Sequence, residues 1–391
     1  MSRVRRWSLP MTSRNPAQAH RASTPLELLV DLCSVVAIAQ VAIGLHHGIL
    51  EGHTGAALQG YAIAFFAIWW AWINFTWFAS AYDTDDIAYR LTTLIQIVGA
   101  LVIAAGVPQA FARGDLTLIT YGYVVMRIGL VTQWLRVAVD DRARRRTALR
   151  YAIGITLLQT GWLVLLIVPA SMRLFGAVGL IALEVVVPVW AERAGATTWH
   201  RVHIAERYGL LNLIVIGECI SSATGAIRLA MGTAGATWEL VSIVAGGLLV
   251  VFALWWIYFD HEAHDVLDRK RVFVWGYGHY FVFSAMAALG AGIAVAADHA
   301  VGRGSVSSTG AAAAVGIPMA VYILSVWWLH IRPHRRRGWP YVAASCAALL
   351  AIVTPQPLLV MGLTGVALVG WLEIDKRQAL NDNQHEETNN Q

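Results

Sequence analysis

Leu26-Glu27-Leu28-Leu29-Val30-Asp31-Leu32-Cys33-Ser34-Val35-Val36-Ala37-Ile38-Ala39-Gln40-Val41-Ala42-Ile43-Gly44 is apolar apart from two carboxylates and a few small polar groups. A helix needs about 20 mostly apolar residues to cross roughly 30 Å of hydrocarbon, and this run is long enough. Runs of the same kind recur along the chain, near 57–80, 91–111, 116–137, 148–169, 173–191, 207–226, 238–259, 273–297, 309–330, 339–353 and 356–373. The reading is an all-α polytopic membrane protein with about twelve transmembrane helices. The last two runs are short and separated by Thr354-Pro355-Gln356-Pro357, so they form either a tight hairpin or a re-entrant pair.

Composition agrees: 57% of residues are hydrophobic, 14% are charged, and there are 17 Trp. With the N-terminus placed in the cytoplasm, the 29 Lys and Arg divide unequally. Only Arg113, Arg173, Arg228 and Arg303 fall outside, and Arg127 lies within a span. The positive-inside rule therefore puts both termini in the cytoplasm of a bacterial cell membrane. The basic pI of about 9.2 then reflects topology and the anionic bilayer as partner, not nucleic acid. The first 25 residues lack the apolar core of a cleavable signal. Cys33, Cys219 and Cys346 fall in spans at unrelated spacings, suggesting neither disulfides nor a metal site, and no cofactor motif is present.

The second and eighth spans look alike. Phe65-Phe66-Ala67-Ile68-Trp69-Trp70-Ala71-Trp72 matches Val251-Phe252-Ala253-Leu254-Trp255-Trp256-Ile257-Tyr258, and each runs into an acidic loop. Two parallel six-helix repeats follow, at 25–197 and 198–375, behind a basic segment at 1–24 and before a disordered tail at 376–391. Homo-oligomers are compatible with such a bundle. The tryptophans read as interfacial anchors.

Ionisable groups at bilayer depth cost about 2.5–3.5 kcal/mol even on the lenient insertion scale, so each calls for an explanation. Glu218 lies near the midplane of the seventh span, Arg127 in mid-span of the fourth, and Glu184 past the middle of the sixth. Buried pairing is the natural guess, and a carboxylate gated by an arginine can bind a proton or cation. Glu27 and Asp31 share one face of the first helix by their four-residue spacing, as do His203, Glu206 and Arg207 on the seventh. Asp83, Asp85 and Asp86 form one acidic loop, suited to capping or hinging a helix. Asp260, His261 and His264 form another, with spacing a transition metal could use.

Ser23-Thr24-Pro25-Leu26-Glu27-Leu28-Leu29-Val30-Asp31 running into Val35-Val36-Ala37-Ile38-Ala39-Gln40 resembles the opening of the bacterial low temperature requirement A family. Asp83-Thr84-Asp85-Asp86 with Arg90 resembles its second signature, and His203-Ile204-Ala205-Glu206-Arg207-Tyr208-Gly209 with Gly217-Glu218-Cys219-Ile220 a third. The likeness covers about residues 20–375. It departs where Leu29, Val30 and Cys33 stand in place of aromatics. It implies a membrane fold and a link to growth in the cold, but no reaction. The first span is also similar to two-repeat potassium channels, without their Arg-x-x-x-Phe-Ser-Asp signature.

No nucleotide-binding loop or nucleophile elbow occurs, so the chain is not expected to be an enzyme or an ATP-driven pump. The favoured expectation is a proton- or cation-coupled secondary transporter of an unidentified solute. The alternatives are a cation channel of two six-helix repeats and a non-transporting membrane protein that supports growth in the cold.

Overall fold

The computed structural model describes residues 7–15, 18, 21–232, 237–260, 267, 271–334 and 337–389. Twelve α-helices occur in order among them: α1 Pro25–Leu50, α2 Thr54–Tyr82, α3 Ile87–Arg113, α4 Thr117–Asp140, α5 Arg145–Ile167 and α6 Ala170–Glu192, then α7 Arg201–Gly232, α8 Trp238–Phe259, α9 Val272–Ala300, α10 Ser308–Val326, α11 Trp339–Leu350 and α12 Pro357–Asn389. There is no strand among the described residues.

Nine helices among the described residues are long and apolar enough to cross a membrane: α1, α2, α3, α5, α6, α8, α9, α10 and α12. The chain is thus a multi-pass, all-helical membrane protein. Twelve crossings were expected, and the three remaining helices are shorter or more polar than these nine. The 12 residues of α11 rise only about 18 Å. Helices α4 and α7 are long enough but polar, because they carry Arg127 and Gln133 in one case and His203, Glu206, Arg207 and Asn212 in the other. α12 keeps helical backbone to Asn389, through the stretch from 376 that composition marked as a disordered tail.

The chain divides into two compact units, and the division passes through α1 and α7 rather than between spans. Unit 1 comprises Met1–Gly44 and Gly55–Ile214; unit 2 comprises Leu45–Thr54 and Val215–Gln391.

In unit 1, α3 to α6 pack as successive antiparallel neighbours. The closest approach is α3 on α4, where a Cβ added to Gly99 would lie 2.5 Å from the Gly122 carbonyl oxygen, and one on Gly129 would lie 2.5 Å from that of Thr92. Small residues allow such approach where lipid supplies no hydrophobic drive, and hydrogen bonds then join the helices. Gln96 Nε2 donates to Gln133 Oε1 at 3.1 Å, and Gln133 Nε2 donates to the hydroxyls of Thr92 and Thr93 at 3.0 and 3.1 Å. Asp86 caps α3 by accepting the Tyr89 N–H at 2.7 Å, and Gly114 ends it with φ 65°. The N-terminal segment packs over the α2–α3 end: Met11 is buried against Phe78, Tyr82 and Trp134, and Leu9 N donates to Asp86 Oδ2 at 2.8 Å.

In unit 2, α9 packs on α10 and α8 on α12, again through glycine. A Cβ on Gly246 would meet the backbone of Leu358, and one on Gly362 would lie 2.8 Å from Gly246 O. Thr237 and Ser307 cap α8 and α10 through their side-chain oxygens. α10 continues into a π-helical turn, Trp327–Ile331.

Candidate functional site

Thr24-Pro25-Leu26-Glu27 opens α1 as a capping box. Glu27 N donates to Thr24 Oγ1 at 3.2 Å, and Thr24 N donates to Glu27 Oε2 at 2.7 Å. That use fixes the carboxylate and points Oε1 inward, where His203 Nε2 lies 3.1 Å away and Arg21 Nη2 lies 3.7 Å away. One turn further along α1, Asp31 receives both terminal nitrogens of Arg207, at 2.6 Å on Oδ2 and 2.5 Å on Oδ1, and the Trp72 indole N–H at 2.7 Å. Arg207 Nη2 also donates to Glu27 O at 3.0 Å. The four-residue spacing of Glu27 and Asp31 therefore meets the four-residue spacing of His203 and Arg207, acid against base, rung by rung. All four side chains are at most 1% exposed.

The two rungs differ in kind. Asp31 and Arg207 form a bidentate, charge-assisted pair. Glu27 Oε1 and His203 Nε2 face each other at 3.1 Å, off the alignment of a well-formed hydrogen bond, and His203 Nδ1 is buried with no hydrogen-bond partner among the described residues. A buried polar atom left unsatisfied is rare and costly, and such atoms concentrate where function requires them.

This cluster reaches the surface through Arg21, which donates to the Ala79 and Ser80 carbonyls closing α2 and lies 3.9 Å from Asp83. Burial, and then the nearby Glu27 charge, push the Asp83 carboxyl up to about 6, against the pull of Arg14 and Arg21.

A separate buried carboxylate, Glu184, lies in the same unit. Glu184 receives four donors: Trp70 Nε1 at 2.8 Å, Tyr123 OH at 3.1 Å, Trp162 Nε1 at 3.3 Å and Arg127 Nη2 at 3.3 Å. Glu184 is 1% and Arg127 2% exposed. Arg127 Nη2 also bonds Tyr123 OH, while its Nε and Nη1 have no partner.

Arg127 thus pairs with Glu184. Glu218, half-buried on α7, has no side-chain ion pair or hydrogen bond among the described residues. Glu206, the third acid or base of its helical face, turns away and accepts Ser23 N at 3.2 Å. In the first acidic loop each carboxylate has its own basic partner: Asp83 with Arg14, Asp85 with Arg90, and Asp86 with Arg136 at 2.7 Å. In the second, Asp260 pairs with Lys376, whereas His261 and His264 lie outside the described residues. Among the described residues no group of three His, Cys, Asp or Glu is placed to hold a metal.

Sequence reasoning missed several participants. Trp70 and Trp72 are not interfacial anchors; at 1% exposure each is a buried donor to a carboxylate. In unit 2, His279 Nδ1 lies 2.7 Å from Trp275 O and its Nε2 lies 3.2 Å from both Tyr258 OH and His330 Nε2. The only signal in the sequence was a lone histidine in each of two apolar spans, His330 falling in the π-helical turn.

Residues 22–372 match the family described as bacterial low temperature requirement A protein. An uncharacterized protein of Rhizobium meliloti (strain 1021) is 26% identical over 260 residues, which cover 64% of this chain and 61% of the relative. The match therefore spans less than two thirds of that relative's length. No solved structure matches the chain.

Proposed function

Starting from the premise that the chain belongs to the bacterial low temperature requirement A family, we propose that it is a proton-coupled secondary transporter of the bacterial cytoplasmic membrane. The carrying observation is the pair of rungs between α1 and α7. A titratable couple, Glu27 and His203, is buried in ion-pair contact one turn from a bidentate couple, Asp31 and Arg207. A proton added to Glu27–His203 changes the charge opposite Arg207, whose Nη2 also holds the Glu27 carbonyl. If that proton passes one turn along α1 to Asp31, the Asp31–Arg207 contact opens, because removing one partner of a buried ion pair costs about 3–5 kcal/mol. Coupled transport needs such a contact, which exists in one protonation state and opens in the other.

Asp83 belongs to this reading as an acid coupled to Glu27 through charge, since both lie within 4 Å of the permanently protonated Arg21 guanidinium. Glu218 belongs to it as a second acid open to a passing cation. Twelve crossings, both termini in the cytoplasm and two parallel six-helix repeats complete the proposal. The repeat is supported by the shared placement of the Trp-rich helices α2 and α8, each followed by a helix packed through glycine on the next.

The test is proton uptake into vesicles reconstituted with the full chain, read by a trapped pH dye under an imposed pH gradient in the presence of a panel of small metabolites. Wild type should dissipate the gradient, and Glu27→Gln and His203→Asn should each abolish that activity while folding normally. Equal rates in wild type, both variants and protein-free vesicles would end the reading.

A further inference from the structure

At the end of unit 1 remote from Asp83, the α3–α4 turn, the C-terminus of α5 and the first turn of α6 enclose a pocket of about 200 Å³. Arg113 and Arg173 stand on its rim with Asp115, leaving one net positive charge. Arg173 is preset there: its Nε donates to Val168 O at 2.9 Å and its Nη2 to Leu166 O at 3.2 Å. Thr117 opens α4 within the lining, its N–H held by Asp115 Oδ1 at 2.9 Å. One wall is apolar, made by Leu165 and Leu166.

The inner end is Trp162, whose indole N–H reaches Glu184. The stripe continues from there. Thr120 of the pocket, Tyr123 and Arg127 follow one another along one face of α4, and Gln159 lies one turn from Trp162 on α5. Past the pocket, this stripe carries unpartnered buried polar atoms: Arg127 Nε and Nη1, and both amide atoms of Gln159. Glu184 is saturated by its four donors and has no lone pair to offer a cation, whereas Arg127 still has N–H groups to offer an acceptor.

We infer that this pocket is the entry site for a small monocarboxylate with a short alkyl chain, which passes Trp162 toward the spare donors of Arg127. One net positive charge suits a monoanion, and the leucine wall suits its chain. The inference names the substrate class of the transporter proposed above and rests on that reading.

The test is equilibrium binding of radiolabelled butyrate to the full chain in lipid nanodiscs, at constant ionic strength with chloride as the competing anion. Wild type should bind saturably. Arg113→Gln, at an exposed side chain, should weaken binding roughly tenfold or more, as expected for loss of a charged hydrogen bond, and Arg173→Gln should do the same. Arg173 also anchors the end of α5, so its variant is checked for an unchanged melting temperature; if that check fails, Arg113→Gln alone decides the outcome. No saturable binding in folded wild type, or equal affinity in Arg113→Gln, overturns the inference. Proton uptake that depends on His203 without butyrate binding removes the pocket alone. Butyrate binding without that uptake removes the proton coupling alone.

Discussion

Trp70 and Trp72, two residues apart on α2, donate their indole N–H groups to two different buried carboxylates, Glu184 at 2.8 Å and Asp31 at 2.7 Å. Two positions along a helix turn the side chain through about 200°, so the donors leave opposite faces at one depth. A single helix therefore holds two buried acids of unit 1, each already matched to an arginine. Losing one hydrogen bond to a charged group costs about 1.5–3 kcal/mol. Trp70→Phe and Trp72→Phe should each lower stability by that amount. Because the two indoles serve separate networks, the double variant should show the sum within about 0.5 kcal/mol. Unfolding of the detergent-solubilised protein measures all three.

The Asp31–Arg207 pair is bidentate and fully buried, so breaking it from one side leaves a bare charge. Asp31→Asn should destabilise by about 3–5 kcal/mol, and Arg207→Met should do so to a similar extent. Asp31→Leu combined with Arg207→Met should recover most of that loss while abolishing proton uptake. A double variant as unstable as the singles would show that packing, not charge, holds this contact.

Asp83 gives a pH dependence with a defined sign. Its carboxyl is pushed up to about 6 from an ordinary 3.8, first by burial and then by Glu27. The folded chain therefore binds this proton more tightly than the unfolded chain does. The stability it contributes is complete below about pH 4 and is lost as pH rises through 6. A rise of that size corresponds to about 3 kcal/mol, an upper figure given the partial screening by Arg14. Asp83→Asn should flatten the melting temperature between pH 4 and 7, and an unchanged slope in that variant would assign the pH dependence elsewhere.

How much of this was legible depended on whether the signal was local. The four-residue spacing of Glu27 and Asp31 placed them on one face from sequence alone, as it did His203 with Arg207. That these faces meet was not legible, because 176 positions separate Asp31 from Arg207. Spacing also grouped Glu206 with its neighbours, but three- and four-residue offsets diverge enough that Glu206 turns toward Ser23 instead. For Arg127 the need for a buried partner was evident, but two acids at similar depth competed and only packing selects Glu184 over Glu218. The tryptophans misled for a general reason: composition reports that an indole is amphipathic, not whether its N–H meets water or a carboxylate.

The α3–α4 contact separates steric from conformational effects at glycine. Gly99 and Gly55 both lie in helices, where replacing Gly by Ala ordinarily gains about 0.5–1 kcal/mol. Around Gly55 nothing lies within 4 Å of an added Cβ, whereas at Gly99 that atom would meet the Gly122 carbonyl oxygen and the Met126 backbone. The helices would have to move apart, straining the Gln96–Gln133 bond one turn away. Overpacking of this kind costs about 1–3 kcal/mol. Gly55→Ala should therefore be neutral or stabilising, and Gly99→Ala should lower the melting temperature. Pairing Gly99→Ala with Gln133→Leu should then cost less than the two single losses combined, because the separated helices have already weakened the bond that Gln133 makes. Full additivity would mean that α3 and α4 absorb the methyl group without separating.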